Sequence, residues 1–178
     1  MASASRKGIV GGACAVMTII GIVVSSGTVR TSQAGLELIG GAESCQRDPY
    51  VCPAGVLTDG IGNTHGVKPG IRKTDAQIAS DWEKNILQAE SCVNKYANGK
   101  KLNQGQFDAV TSITFNAGCG QMQKSTMFRM FRDGKFTEAC NQFSRWTYGG
   151  GKQLPGLVTR REKEKALCLK GGHELVTH

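Results

Sequence analysis

The sequence has no CxxC pair, which argues against a zinc ribbon or a thioredoxin-type redox site. Its first 34 positions hold no acidic residue, and no charge of either sign falls between Gly8 and Val29. That uncharged run contains neither leucine nor phenylalanine, so its insertion into a bilayer is marginal beside a leucine-rich span. No repeat at solenoid spacing occurs. The aromatic motif of RNA-binding sheets is missing and the basic residues are scattered, which argues against a nucleic-acid partner. No metal site and no organic cofactor are indicated.

What is present is a chain of 178 residues with a net charge of +8 and seven cysteines. Arg6, Lys7 and Arg30 are the only charges in the first 34 residues, so the remaining body carries about +5. Such a body favours anionic partners: acidic lipid, nucleic acid or an anionic cell wall. Its length suits one domain with one core. Seven cysteines suggest an oxidising compartment, and an odd number leaves at least one thiol unpaired.

The run from Gly8 to Val29 would span about 33 Å as a helix, enough for a hydrocarbon core of about 30 Å. Arg6 and Lys7 precede it and only Arg30 follows closely. The positive-inside rule therefore leaves the N-terminus in the cytoplasm and exports the rest. Small residues near Ser26 and Ala34 also suit a cleaved signal peptide. The length of the run favours an uncleaved anchor, weak enough to leave the membrane. The chain divides into an N-terminal segment, residues 1–34, and a body, residues 35–178.

Within the body, residues 34–44 read as a short amphipathic helix with Leu36, Leu38 and Ile39 inward. Residues 46–66, rich in glycine, proline, aspartate and asparagine, read as a small hairpin sheet. Thr74 and Gln77 form a capping box. Ile78, Trp82, Ile86, Ala89 and Val93 follow at helical spacing until Asn98-Gly99, which predicts a helix of about 22 residues. Further helices are predicted over 104–116 (Phe107, Val110 and Ile113 inward), 125–133 and 137–146. Pro155 opens a last one and Gly171 closes it. The fold class is α+β: a small β-hairpin lobe, a long connecting helix and a larger helical lobe, with a cleft between the lobes as the place for a substrate.

Cleaving a glycosidic bond takes an acid for the leaving oxygen and a second group that activates water or attacks the sugar. Glu43, at a helix end, can be that acid if its surroundings raise its pKa. Cys52 and Thr58 lie on the adjacent hairpin. Glutamate, eight residues, aspartate or cysteine, five residues and threonine form the catalytic signature of phage-type lysozymes. The flanking stretches LELIGGAE, DPYVCPAGVLTDGIGNTHG, FNAGCG and LPGLVTRREKE follow the same pattern. From about Gly35 to Leu169 the chain resembles a phage endolysin of the lysozyme type, and its weak N-terminal span resembles the signal-anchor-release class.

The resemblance implies a lysozyme-like fold and hydrolysis of the β-1,4 bond between N-acetylmuramic acid and N-acetylglucosamine in peptidoglycan. It makes Glu43 the general acid, puts Cys52 where most members carry aspartate, and gives Thr58 the placing of water. It suggests that Asn116 contacts saccharide and that Arg160 or Arg161 holds Glu43. Cys52 departs from the family's aspartate, since an unperturbed thiol is mostly protonated at neutral pH.

Cys52 must be free to act, yet Cys45 is seven residues away across a turn-rich loop, so the two are expected to pair after export. Cys14 is shielded while it lies in lipid. On release its thiol can attack Cys45, forming Cys14–Cys45 and freeing Cys52. Cys92, Cys119, Cys140 and Cys168 can form two structural disulfides in three connectivities. A monomer is expected, first at the host inner membrane and later in the host periplasm, with a holin as functional partner. Two rivals are a non-catalytic wall-binding domain and a lytic transglycosylase. A cysteine protease built on Cys52 and His65 lacks any local signature.

Overall fold

A computed structural model describes residues 12–41 and 43–170. Part of the expected span (Gly8 to Gly11), Arg6, Lys7 and the Gly171 stop lie outside the described residues. The chain runs α1 (Val16–Ser26), α2 (Gln33–Gly41), β1 (Cys45–Val51), β2 (Leu57–Ile61), α3 (Asp75–Tyr96), α4 (Gln104–Ala117) and α5 (Cys119–Met122). It continues with α6 (Thr126–Arg132), α7 (Phe136–Asn141), β3 (Tyr148–Gly149), β4 (Lys152–Gln153) and α8 (Pro155–Lys170).

The β1–β2 hairpin is antiparallel, with an irregular register between Gln46 and Tyr50. Helix α3 starts at the capping box of Thr74 and Gln77. A second box, Asn103 with Gln106, starts α4. The expected helix over 137–146 divides: α7 stops at Asn141 and a 3-10 turn carries Gln142 to Arg145. Leu38 is only half-buried, whereas Leu36 and Ile39 are fully buried.

Two cores form, and α3 belongs to both. Its first half gives Ile78, Trp82 and Ile86 to a core with Leu36, Ile39 and Ile61. Its second half gives Cys92 and Val93 to the core of the helical lobe, around Phe107, Val110, Ile113, Phe128, Phe131 and Phe143. One rigid helix thus fixes the hairpin lobe relative to the helical one.

The N-terminal segment differs most from the sequence-based expectation. Among the described residues no helix is long and apolar enough to cross a membrane. In place of a helix over the whole run from Gly8 to Val29, α1 has 11 residues, ending at Gly27 in the left-handed region. Before it, Ala13 bridges to Gln46 and the Cys14 N–H donates to the Cys45 carbonyl at 3.1 Å. The backbone of Ala13 and Cys14 is therefore engaged by β1 and not by a continuing helix. Ile19, Ile20 and Val23 are buried against Trp82 and its neighbours, a stabilisation of about 1.5–3 kcal/mol each. The opposite side of α1 leaves Met17, Ile22 and Val24 exposed. A helix that is apolar all round can bury only one stripe on a globular body.

Behind α1 the chain is held by polar groups in sequence. Ser26 and Thr28 donate to Glu83 of α3. Arg30 donates to the carbonyls of Gly99 and Leu102 and lies 3.9 Å from the Phe107 ring centroid. The N–H and hydroxyl of Thr31 both reach Glu90 at 2.7 Å. Ser32 donates through its N–H and its hydroxyl to Asp108 of α4.

Candidate active site

Glu43 follows α2, its N–H donating to the Gly40 carbonyl at 3.2 Å. Its side chain is 28% exposed, and an Arg160 Nη1 lies 3.6 Å from its Oε1. Burial pushes its carboxyl above the ordinary range, and the Arg160 guanidinium offsets this only in part. Gly62 forms the facing wall with φ +64, and a Cβ there would stand 3.1 Å from Glu43 Oε2. The glycine serves both the left-handed backbone and the close approach.

Cys52 sits at the tip of the β1–β2 hairpin. The turn is closed by Gly55 N–H to the Cys52 carbonyl at 2.8 Å and by Cys52 N–H to the Val56 carbonyl at 3.0 Å. Its half-buried thiol is free. The Val56 N–H, and after it the Thr58 hydroxyl, favour the thiolate and lower the pKa. Thr58 is buried on β2, and its hydroxyl donates to the Val56 carbonyl at 2.9 Å. His65 is not among the groups that bond Cys52; it lines a cavity of about 260 Å³ between the lobes with Gly62, Asn85, Gln88 and Phe115.

Arg160, Arg161 and Asn116 meet behind Glu43. Arg160 Nε is 3.3 Å from Glu164 Oε1 and Arg161 Nη1 is 3.0 Å from Glu164 Oε2. Arg161 also donates to the side-chain amide oxygen of Asn116. Ser112 of α4 donates to Glu164 Oε1 at 2.6 Å. A second cavity, of about 340 Å³, is lined by Asn116, Gln121, Arg145, Trp146, Tyr148 and Arg161. Sequence reasoning missed Gly62, Ser112, Glu164, Trp146 and Tyr148. The two aromatics beside three consecutive glycines were a usable signal; Glu164, within a charged run, gave none.

Three disulfides are present: Cys14–Cys45, Cys92–Cys119 and Cys140–Cys168. The first ties the chain ahead of α1 to the start of β1, with Cα atoms 5.1 Å apart. The second joins α3 to α5 and the third joins α7 to α8. Among the described residues no cluster of side chains is arranged to hold a metal ion.

A half-buried carboxyl between a hairpin lobe and a helical lobe fits a glycoside hydrolase of the lysozyme type, α+β and mostly helical. The phage lysozyme family model matches residues 40–164. The chain belongs to that family. It is 50% identical over 172 residues to the SAR-endolysin of Escherichia phage P1, covering 90% of this chain and 93% of that one. The crystal structure of the active form of P1 phage endolysin Lyz superposes with a TM-score of 0.87 at 49% identity, covering 93% of this chain and 99% of that one. The secreted inactive form of the same endolysin superposes with a TM-score of only 0.58 at 47% identity, covering 82% and 99%.

Proposed function

We propose that this protein is a phage endolysin that cleaves the β-1,4 bond between N-acetylmuramic acid and N-acetylglucosamine, held inactive at the host inner membrane and activated by release. Glu43 is the general acid, and burial raises its pKa and so favours the protonated form that gives its proton to the leaving oxygen. The Cys52 thiolate is the second group, and Thr58 places the water. Asn116 contacts the saccharide. The basic body suits the anionic wall.

One observation supports activation above the others: Cys45 is bonded to Cys14 while Cys52 is free. In the tethered enzyme Cys45 would be bonded to Cys52. On release the Cys14 thiolate attacks the Cys45 sulfur, a Cys14–Cys45 bond forms, and Cys52 leaves as thiolate with no net oxidation. The closer likeness to a form described as active fits this order of events. The exposed apolar side of α1 fits a helix that once faced lipid. Collapse of the membrane potential by a holin is the trigger that would let so weak a span leave.

Non-reducing peptide mass spectrometry on membrane and soluble fractions, with thiols trapped at lysis, tests the exchange. A membrane fraction already holding Cys14–Cys45 would defeat it. Glu43→Gln should lower the clearing of permeabilised Gram-negative cells by about 10²–10⁴-fold; undiminished clearing would remove Glu43 from its role. Product masses bearing one added water separate hydrolysis from the anhydro product of a transglycosylase.

A further inference from the structure

The charged run of α8, Arg160-Arg161-Glu162-Lys163-Glu164-Lys165, faces two ways. Glu162 and Lys163 are exposed, whereas Arg160, Arg161 and Glu164 are buried to 7%, 1% and 0% exposure. Such groups are seldom buried unless paired. Among the described residues the one carboxylate touching both guanidiniums is Glu164, one oxygen toward each, and its position is fixed from outside α8 by the Ser112 hydroxyl. Each arginine then has a second partner in the site: Glu43 for Arg160 and Asn116 for Arg161.

We propose that Glu164, anchored by Ser112, is the positioning residue that apportions the two arginines, one to the acid and one to the saccharide contact. This rests on the reading of Glu43 and Asn116 given above. Without Glu164 the two adjacent buried cations would act unopposed on the Glu43 carboxylate, which Arg160 already reaches at 3.6 Å. Glu164 takes up one positive charge, so Arg160 touches Glu43 at 3.6 Å without capturing it in a close ion pair. It also orients Arg161 away from Glu43, toward Asn116. Among the described residues, Arg145 lines the same cavity as Arg161 and Asn116. Glu37 of α2 and Lys163 of α8 line the same groove as Arg160. On α4, Asp108 is engaged by Ser32 and Gln104. Cys52 lies on the hairpin.

The test is NMR on the activated, full-length protein carrying side-chain-labelled glutamate, with the Glu43 signal assigned by its loss in Glu43→Gln. In Glu164→Gln the Glu43 midpoint is expected to move to lower pH, because a neighbouring negative charge is gone and the guanidiniums act on Glu43 unopposed. The side-chain amide signal of Asn116 should move as well. Above its midpoint the protonated acid is lost about tenfold per pH unit, and the rate at neutral pH falls with it. An unmoved Glu43 midpoint in a folded Glu164→Gln protein would overturn the proposal and leave Glu164 a structural residue. Ser112→Ala keeps every charge and covers the case in which Glu164→Gln does not fold: both signals should move together, and neither moving would overturn the proposal equally. The titration reads position, not catalysis. An active Glu43→Gln enzyme would sink the reading of Glu43 as the acid without touching the titration result.

Discussion

Gly62 is where backbone and chemistry meet in a single residue. Its φ of +64 and the 3.1 Å separation between a would-be Cβ and Glu43 Oε2 impose two distinct penalties on Gly62→Ala. The left-handed backbone costs about 1–2 kcal/mol, which lowers Tm by about 2–8 °C in a chain of this size. The displaced carboxylate should cost more in rate than in stability, since a misplacement of order 1 Å can cost about 10²-fold. Thermal melts and initial clearing rates on one preparation separate the two. Equal activity would mean that Glu43 has room to move. Glu43 and Cys52 were legible in the sequence because the spacing between them carries a pattern. Gly62 was not, because the need for it arises only when the loop after β2 folds back onto the acid. Glu164 was hidden for a related reason. Six consecutive charged residues read as a solvated face until Glu43 and the partners on α4 are in place.

At the scale of elements, α3 was legible from its capping box and α4 from the spacing of Phe107, Val110 and Ile113, while the second box at Asn103 and Gln106 went unread. Capping boxes satisfy the first free N–H groups of a helix with side chains three residues apart, so their signal needs no tertiary context. The packing of α1 was not legible, because its apolar residues mark no face. Its docking is set by the polar stretch on its C-terminal side, where the hydroxyls and N–H groups of residues 26–32 bind Glu83, Glu90 and Asp108. Glu90 is buried and takes two donors from Thr31, whereas Glu83 takes its bonds in exposed surroundings. Glu90→Ala should therefore cost about 1–3 kcal/mol through an unsatisfied Thr31 N–H, and Glu83→Ala under about 1 kcal/mol. Urea unfolding of the two variants checks the order, and a larger effect at Glu83 would reverse it. The β3–β4 hairpin, two residues per strand, is too short to show a period-two pattern.

For the whole molecule, burial has consequences for pH. Glu43, Asp108 and Glu164 all titrate above the ordinary carboxylate range when folded, each chiefly because burial disfavours the charged form. Unfolding returns them to that range. Between the unfolded and the raised folded values the native chain holds more protons, so stability falls as pH rises through that window. Above the folded values the loss is complete. The three groups thus oppose the fold less in acid than above their folded values. In Asp108→Asn, thermal melts from mild acid to neutral pH should show a flatter dependence than in the wild type, and an unchanged slope would exclude Asp108 as a contributor.

Residues 16–26 supply Ile19, Ile20 and Val23 to the same core as Trp82. On the proposed reading the same stretch is first solvated by lipid. Its composition then answers to two environments in succession, each scoring the same letters by a different rule. Enriching it in leucine would improve the first fit and spoil the second, by holding the helix in the bilayer and overfilling the core. Making it more polar would do the reverse. The absence of leucine and phenylalanine between Gly8 and Val29 is then a compromise that neither environment would select alone. Variation in this stretch should be confined to substitutions that are neutral under both.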